Sequence, residues 1–180
     1  MKRWKAFMLP LFLALLAVDF AWLILRLNGY DIAVFKQTGL LYPVIITFSI
    51  LAIVGAFVSR RAFLATLLLS PFIAIALGIL HFGSMALDWH YDELRSPDGS
   101  RTIIIEHRVA TLGESNCFYQ FNEVIFGGLL LRRLEGQDMY IMHRTSESGL
   151  VVLGAAKAIW DENKAVTFPS LDGPKRIILP

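Results

Sequence analysis

Three long stretches of apolar residues fill the first half of the chain. They run over residues 6–25, 40–58 and 63–87, and each is close to the roughly 20 residues that a helix needs to cross a bilayer. Pro71 lies deepest within its stretch, where packed neighbours can satisfy the backbone carbonyl that a proline leaves free. The pattern predicts a domain of three transmembrane helices over residues 1–87.

The pattern changes at Asp88 to short apolar segments separated by turn residues. Residues 88–95 are interpreted as a linker, and Ser96-Pro97-Asp98-Gly99 suits a type I turn. Alternating polarity over residues 102–109 predicts a strand with Ile103 and Ile105 on one face. Further strands are expected at Cys117 to Phe126, LLLRRL, MYIMHR, LVVLG, and AIW with KAVTF.

Two hairpins are expected within this region. Gly127-Gly128 has the spacing of a two-residue loop, and residues 161–163 are expected to close the last hairpin. The strands predict a small antiparallel meander or sandwich-like domain over residues 96–180, packed against the loop at residues 29–38. The loops at 110–116 and 145–149 are the best candidates for binding residues, because binding side chains often stand on loops above a rigid sheet.

The outer segments together resemble a known kind of protein. RSPDGSRTIIIE after a membrane span, a Gly-rich loop, aromatic strands and a closing WDENKAVTF are similar to a group of small, functionally uncharacterised bacterial membrane proteins. Those proteins pair a few N-terminal spans with a compact β domain that opens on an SPDG turn. The resemblance covers about half of the chain and implies a fold class and a bacterial envelope location, with no catalytic residues.

Charge divides the chain at the same place as polarity. Charged residues make up 18% of the sequence, below the roughly 25% of a soluble domain, and nine of them precede Asp88 while 23 lie from Asp88 onwards. The excess positive charge of the first part flanks apolar stretches, so the sequence does not support nucleic-acid binding. The expected partners are the lipid bilayer and another envelope or membrane protein.

Basic residues also predict the orientation. Lys2, Arg3 and Lys5 precede the first stretch, and Arg60 with Arg61 separates the second from the third. Basic flanks stay in the cytoplasm, so the N-terminus is expected inside and the C-terminal domain outside, in a multi-pass cell-membrane protein.

Asp19 is a carboxylate within an apolar stretch, and such residues usually face a protein interior. Thr47 and His81 lie about seven residues from the outer ends of their own stretches, as Asp19 does, so the three predict one intramembrane polar layer. Asp19 is expected to form a hydrogen bond or ion pair with His81, with Thr47 nearby. The layer couples protons or ions, or it is a structural clasp that holds the three helices together, or Asp19 instead reaches the headgroups.

Two other groups are candidates for chemistry. Asp88, His90 and Asp92 would share one face of an extended strand and could hold a divalent cation, or they form a solvated acidic linker. Cys117 is the single cysteine and has no flanking base, which favours a buried thiol over a reactive one. Either His107 or His143 could accompany it, but their spacing does not indicate a catalytic pair.

No common catalytic or nucleotide-binding motif is present, and no cofactor is expected. The first hypothesis is therefore a non-enzymatic envelope protein whose outer β domain binds a partner or an envelope ligand, in an accessory, sensor or immunity-type role. The alternative is a membrane-embedded enzyme or transport component that uses Asp19 and His81. A third hypothesis is a purely structural membrane protein.

Overall fold

The chain folds into two compact units. The computed structural model describes residues 2–36, 41–58, 60–86, 89–112, 114–144, 147–162 and 164–180. One unit consists of Met1–Asn28 and Phe35–Ala86, and the other of Gly29–Val34 and Leu87–Pro180. A short piece of chain between the first two long helices thus belongs to the second unit.

The first unit is helical. It contains α1 (Lys2–Leu27), α2 (Leu41–Val58) and α3 (Arg60–Ala86), with α1 packed on α2 and α2 on α3. Many large apolar side chains of these helices have no protein cover; Phe57 is 84% exposed and Phe72 70%. An apolar surface of this size needs an apolar environment or a partner.

The expectation of three transmembrane helices is wrong. Among the described residues one helix is long and apolar enough to cross a membrane, through the 18-residue window Pro10–Leu27. The apolar stretches of α2 and α3 are shorter, Leu41–Phe57 and Phe63–Ile79. The sequence analysis extended the third stretch to residue 87, although His81, Gly83 and Ser84 lower the hydropathy beyond Ile79.

The second unit contains two antiparallel sheets, as expected of its strand pattern. The large sheet has the order β1-β5-β4-β3-β2, with β6 also paired to β4, and the small sheet has the order β7-β8-β9. The strands are β1 (Tyr30–Ile32), β2 (His90–Arg95), β3 (Thr102–Leu112), β4 (Glu114–Ile125), β5 (Leu130–Arg133), β6 (Met139–His143), β7 (Ile159–Asp161), β8 (Ala165–Ser170) and β9 (Gly173–Ile178).

The topology differs from a meander in three places. The expected linker contains strand β2, which pairs with β3. Strands β5 and β6 do not pair with each other, because both lie along the same edge of β4 as one interrupted strand. The segment after α1 supplies β1, which pairs with β5; the expectation that this loop packs on the β domain is confirmed for Tyr30–Ile32.

The local predictions had mixed outcomes. The hairpin of β7 and β8 is confirmed. The loop after β4 spans four residues rather than two, because Ile125 pairs with Leu130. The apolar segment LVVLG is not a strand; it forms most of a short helix, α4 (Gly149–Leu153).

The core of this unit lies between the two sheets. Ile103 and Phe121 of the large sheet meet Phe168 and Ile177 of the small sheet, and all four side chains are almost fully buried. The rings of Phe121 and Phe168 stack with centroids 5.6 Å apart. Burying one such side chain contributes about 1.5–3 kcal/mol, so these contacts hold the two sheets together.

Candidate functional site

A cleft of about 580 Å³ opens in the sheet unit beside β2. One wall is formed by Leu94 of β2 and Ile105 of β3, and the other by α4 and the residues after it. Most of the lining is apolar, and the remaining residues that line the cleft are Asp92, Glu93, Glu147, Leu150, Val151, Gly154, Ala155, Ala156, Lys157, Pro169 and Leu171. Its size is within the range of sites that bind small molecules or peptide side chains.

The position of α4 determines the shape of the cleft. The helix ends at Gly154, whose left-handed conformation (φ 74°) lets its N–H donate to the carbonyls of Leu150 and Val151. A Cβ at Gly154 would lie 2.7 Å from the carbonyl oxygen of Pro169, so only glycine fits without movement. The N–H of Leu171 donates to the carbonyl of Val152 at 3.0 Å and joins β8 to the helix.

Strand β2 is the outer strand of the large sheet, and no described residue pairs with its other edge. The N–H of Ser96 donates to the carbonyl of Arg101 at 2.9 Å, which makes this pair hydrogen-bonded in the antiparallel ladder. Hydrogen-bonded and non-hydrogen-bonded pairs alternate, so the backbone groups of Glu93 and Arg95 point away from β3. These groups can pair with another extended chain.

The cleft and the open edge lie on adjacent parts of the same surface. The side chains of Asp92 and Leu94 point to the face of the sheet that carries the buried Ile103 and Ile105, because directly opposed residues share a face. A strand added next to β2 would direct every second side chain to this face and into the cleft.

The rim of the cleft carries an excess of negative charge. The carboxylates of Asp92, Glu93 and Glu147 face one ammonium group, that of Lys157. Asp92 Oδ2 lies 2.8 Å from Nε2 of His107, and Glu93 accepts a hydrogen bond from Nε of Arg95 at 2.7 Å. The net negative charge of the rim favours a basic ligand over an acidic one.

The sequence-predicted cation site is placed only in part. Asp88 lies outside the described residues, whereas His90 stacks on His107 with ring centroids 5.4 Å apart. The carboxylate of Asp92 contacts the ring of His107. Over the residues that the structure describes, no group of three metal-ligating side chains is found. The cation hypothesis stays a prediction.

The predicted polar layer is also seen in part. The hydroxyl of Thr47 lies 3.2 and 3.0 Å from the two carboxylate oxygens of Asp19, to which it donates its hydrogen. The side chain of His81 lies outside the described residues. The structure therefore brings two of the three residues together, and the role of the layer stays a prediction.

Cys117 has His143 as a neighbour, one of the two histidines that the sequence offered as its companion. The sulfur of Cys117, on β4, lies 3.3 Å from Nε2 of His143, on β6, within the core. Burial raises the pKa of the Cys117 thiol and so disfavours the thiolate that a nucleophile requires. Because the thiol is fully buried, this pair is suited to packing and not to covalent catalysis.

Sequence analysis missed most of the cleft. Of the two loops chosen as binding candidates, the first is largely strand, and the second contributes Glu147 and the start of α4. The glycine at 154, directly after LVVL, is the signal that distinguishes a capped helix from a strand.

Comparisons with protein-family models, curated proteins and solved structures find no match to this chain.

Proposed function

We propose that this chain is a membrane-anchored binding module without catalytic activity. Its sheet unit takes an extended segment of a partner protein, which adds to the open edge of β2 and places apolar side chains in the cleft. The observation that carries the proposal is the adjacency of a 580 Å³ apolar cleft and an open strand edge on one face of the sheet. Strand addition of this kind is a common mode of peptide recognition.

Backbone and side chains have separate roles in this binding mode. The outward backbone groups of Glu93 and Arg95 supply affinity for any extended chain. Specificity comes from the cleft, which accepts side chains at every second position, and from Glu93, whose side chain points to the opposite face and favours Lys or Arg at the positions between them. The partner segment is therefore extended, alternately apolar and basic.

The helical unit supplies the anchor. We place α1 across a membrane with the window Pro10–Leu27 in the hydrocarbon, since only 6% of that window is buried by the protein. Lys2, Arg3 and Lys5 precede the window, whereas Arg26 is the single basic residue at its other end. This distribution supports a cytoplasmic N-terminus.

Strand β1 supports an extracytoplasmic sheet unit. Tyr30 begins β1 three residues after α1 ends at Leu27, and β1 is part of the same sheet as β2 to β6. The chain must therefore return after α2 and α3 to the side on which α1 ends. The sheet unit lies opposite the N-terminus, and its binding cleft faces the space outside the cytoplasm.

The binding mode is tested with synthetic peptides and the full chain in detergent. The probe is a nine-residue peptide that alternates valine and lysine, and its affinity is measured by fluorescence anisotropy. N-methylation is placed in turn at each set of alternate backbone amides. One set faces β2 and its methylation lowers affinity by roughly tenfold or more, since each lost hydrogen bond costs about 1 kcal/mol; the other set tolerates it.

Matched variants show where the peptide binds. Val151→Glu puts a charge at the cleft, where Val151 is 57% exposed, and is expected to abolish binding. Ile159→Glu makes the same change at a residue that is 66% exposed and does not line the cleft, and it leaves binding intact. Equal effects of the two substitutions, or equal effects of the two methylation sets, would contradict the proposal.

A further inference from the structure

The side chain of Arg108 lies between two aromatic rings on the face of the large sheet opposite the cleft. Its guanidinium carbon is 5.3 Å from the ring centroid of Trp89 and 4.6 Å from that of Phe118. Phe118 is the direct cross-strand partner of Arg108, and its ring also contacts Tyr140. Both rings lie within cation–π distance of the guanidinium, and a ligand would be bound by the hydrogen-bond donors at its edge.

Arg108 differs from the other arginines of the sheet unit in its partners. Five of them contact a carboxylate: Arg95, Arg101, Arg132, Arg133 and Arg176. Among the described residues Arg108 has no such carboxylate, and its Nε is buried without a hydrogen-bond acceptor. The charge of Arg108 is thus not offset by a carboxylate of the described residues, which favours an anionic ligand.

A second cavity of about 300 Å³ adjoins this arginine. Trp89, Gln120 and Tyr140 line it together with Arg108. Asp138 is the one carboxylate in the lining, and its charge is offset by an ion pair with Arg133. The cavity therefore combines an arginine and an amide, which are donors for oxygen atoms, with aromatic walls.

We propose that Arg108 and this cavity bind the phosphate group of an anionic phospholipid. Guanidinium edges match the geometry of phosphate oxygens, and the amide of Gln120 offers a further donor. Trp89 lies three residues beyond the end of α3, an apolar helix, and Tyr140 and Met142 are exposed on the same face. Tryptophan, tyrosine and arginine are the side chains that favour the headgroup region of a bilayer.

Short-chain phosphatidylglycerol, kept below its micellar concentration, is the probe. It is titrated into the full chain in an uncharged detergent, and binding is read from the added hydrogen-exchange protection of β3 and β6. The wild-type chain is expected to bind it roughly tenfold more tightly than Arg108→Gln, as the loss of one charge-assisted contact predicts. Diacylglycerol with the same acyl chains lacks the phosphate and should give no protection.

Arg176→Gln is the matched control. It removes the same charge from an exposed arginine outside the cavity, and binding should stay within about twofold of the wild type. If Arg108→Gln is unfolded by circular dichroism, Arg108→Lys takes its place; it keeps the charge but loses the planar fork, and weaker binding is still expected.

Three results would overturn the assignment. The first is that the Arg108 variant binds the lipid as the wild type does. The second is that the Arg108 and Arg176 variants lose affinity equally, which is the result of unspecific charge attraction. The third is that inorganic phosphate at the same concentration protects β3 and β6 as fully as the lipid does. The ligand of the cavity would then be a soluble phosphate and not a phospholipid. None of these measurements depends on peptide binding at β2.

Discussion

The hydroxyl of Tyr119 donates a hydrogen bond to the carbonyl oxygen of Gly149 at 2.6 Å. Tyr119 lies on the central strand β4, and Gly149 is the first residue of α4. Both residues are buried, so the bond joins the sheet to the helix in the absence of competing water. The helix in turn forms one wall of the cleft. This bond in the core thus helps to set the geometry of the candidate site, together with the bond from Leu171 to Val152.

Replacing Tyr119 by phenylalanine should destabilise the sheet unit by about 1–3 kcal/mol, because the buried carbonyl of Gly149 loses its partner. Tyr140→Phe is the control. Its hydroxyl also forms a hydrogen bond, to Asn116, but the side chain is half exposed and water can replace the bond. Hydrogen exchange of the β4 amides measures both effects. Equal losses of stability from the two substitutions would show that the buried hydrogen bond of Tyr119 stabilises the unit no more than the exposed one of Tyr140.

Alkaline pH should lower the stability of the sheet unit. Burial raises the pKa of both Cys117 and Tyr119, so the folded state favours their neutral forms. A raised folded pKa gives stability that is complete below the unfolded pKa, about 8.5 for cysteine and about 10 for tyrosine, and is lost as pH rises above it. The slope can reach about 1.4 kcal/mol per pH unit for each group.

The double variant Cys117→Ala, Tyr119→Phe tests the cause of this pH dependence. Removing both groups should flatten the decline of the unfolding free energy above about pH 9, although the variant starts from a lower value. Denaturant titrations at several pH values provide the comparison. A decline as steep as that of the wild type would assign the effect to other groups.

Sequence patterns predicted the strands in which polar and apolar residues alternate strictly. They did not predict the features of the fold that depend on contacts between distant segments. Ile103 and Ile105 are buried on one face as their spacing predicts. Glu106, whose side chain points to the opposite face of this strand, is also buried and accepts a hydrogen bond from Asn122 at 2.6 Å. The strand at Tyr30–Ile32 was missed because three residues are too few to show a periodic pattern of polar and apolar side chains. Its partner strand β5 also lies about 100 residues further along the chain.

Gly154→Ala should destabilise the unit more than the same change at another glycine of positive φ. At Gly154 a Cβ meets the carbonyl oxygen of Pro169 at 2.7 Å, in addition to the strain of φ 74°. At Gly127 (φ 65°) nothing lies within 4 Å, so Gly127→Ala adds only the backbone strain, about 1 kcal/mol. Thermal unfolding of both variants gives the difference. A smaller effect at Gly154 would mean that the turn moves away from β8.

The polar contact in the helical unit makes a separate prediction. Thr47→Val removes the hydroxyl that donates to Asp19 and should destabilise the packing of α1 on α2 by about 1–2 kcal/mol, whereas Thr47→Ser keeps the donor and should be nearly neutral. Unfolding in mixed detergent micelles with increasing dodecyl sulfate provides the measurement. In the Asp19→Asn background the cost of Thr47→Val should shrink, because the pair is already weakened. An unchanged cost would show that the two side chains act independently.

The candidate site was less accessible to sequence analysis than the fold. A cleft is a property of two surfaces, and here residues of β2 and α4 that are over 50 positions apart form its walls. The apolar character of Leu150 and Val151 does not indicate which surface of the protein they line. Asp19 and Thr47 could be placed in one layer because both lie in helices, where counting residues gives the position along the helix axis directly.

Cysteine labelling tests the side of the membrane on which the sheet unit lies. In a Cys117→Ala background, a single cysteine replaces either Glu162, whose side chain is 80% exposed near the β7–β8 turn, or Lys5, at the start of α1. A membrane-impermeant maleimide is added to intact spheroplasts. In the proposed topology α1 crosses the membrane and β1 follows it directly, so Glu162→Cys should be labelled at once and Lys5→Cys only after the membrane is permeabilised. The reverse pattern would place the cleft in the cytoplasm, and labelling of both residues in sealed spheroplasts would show that α1 does not cross.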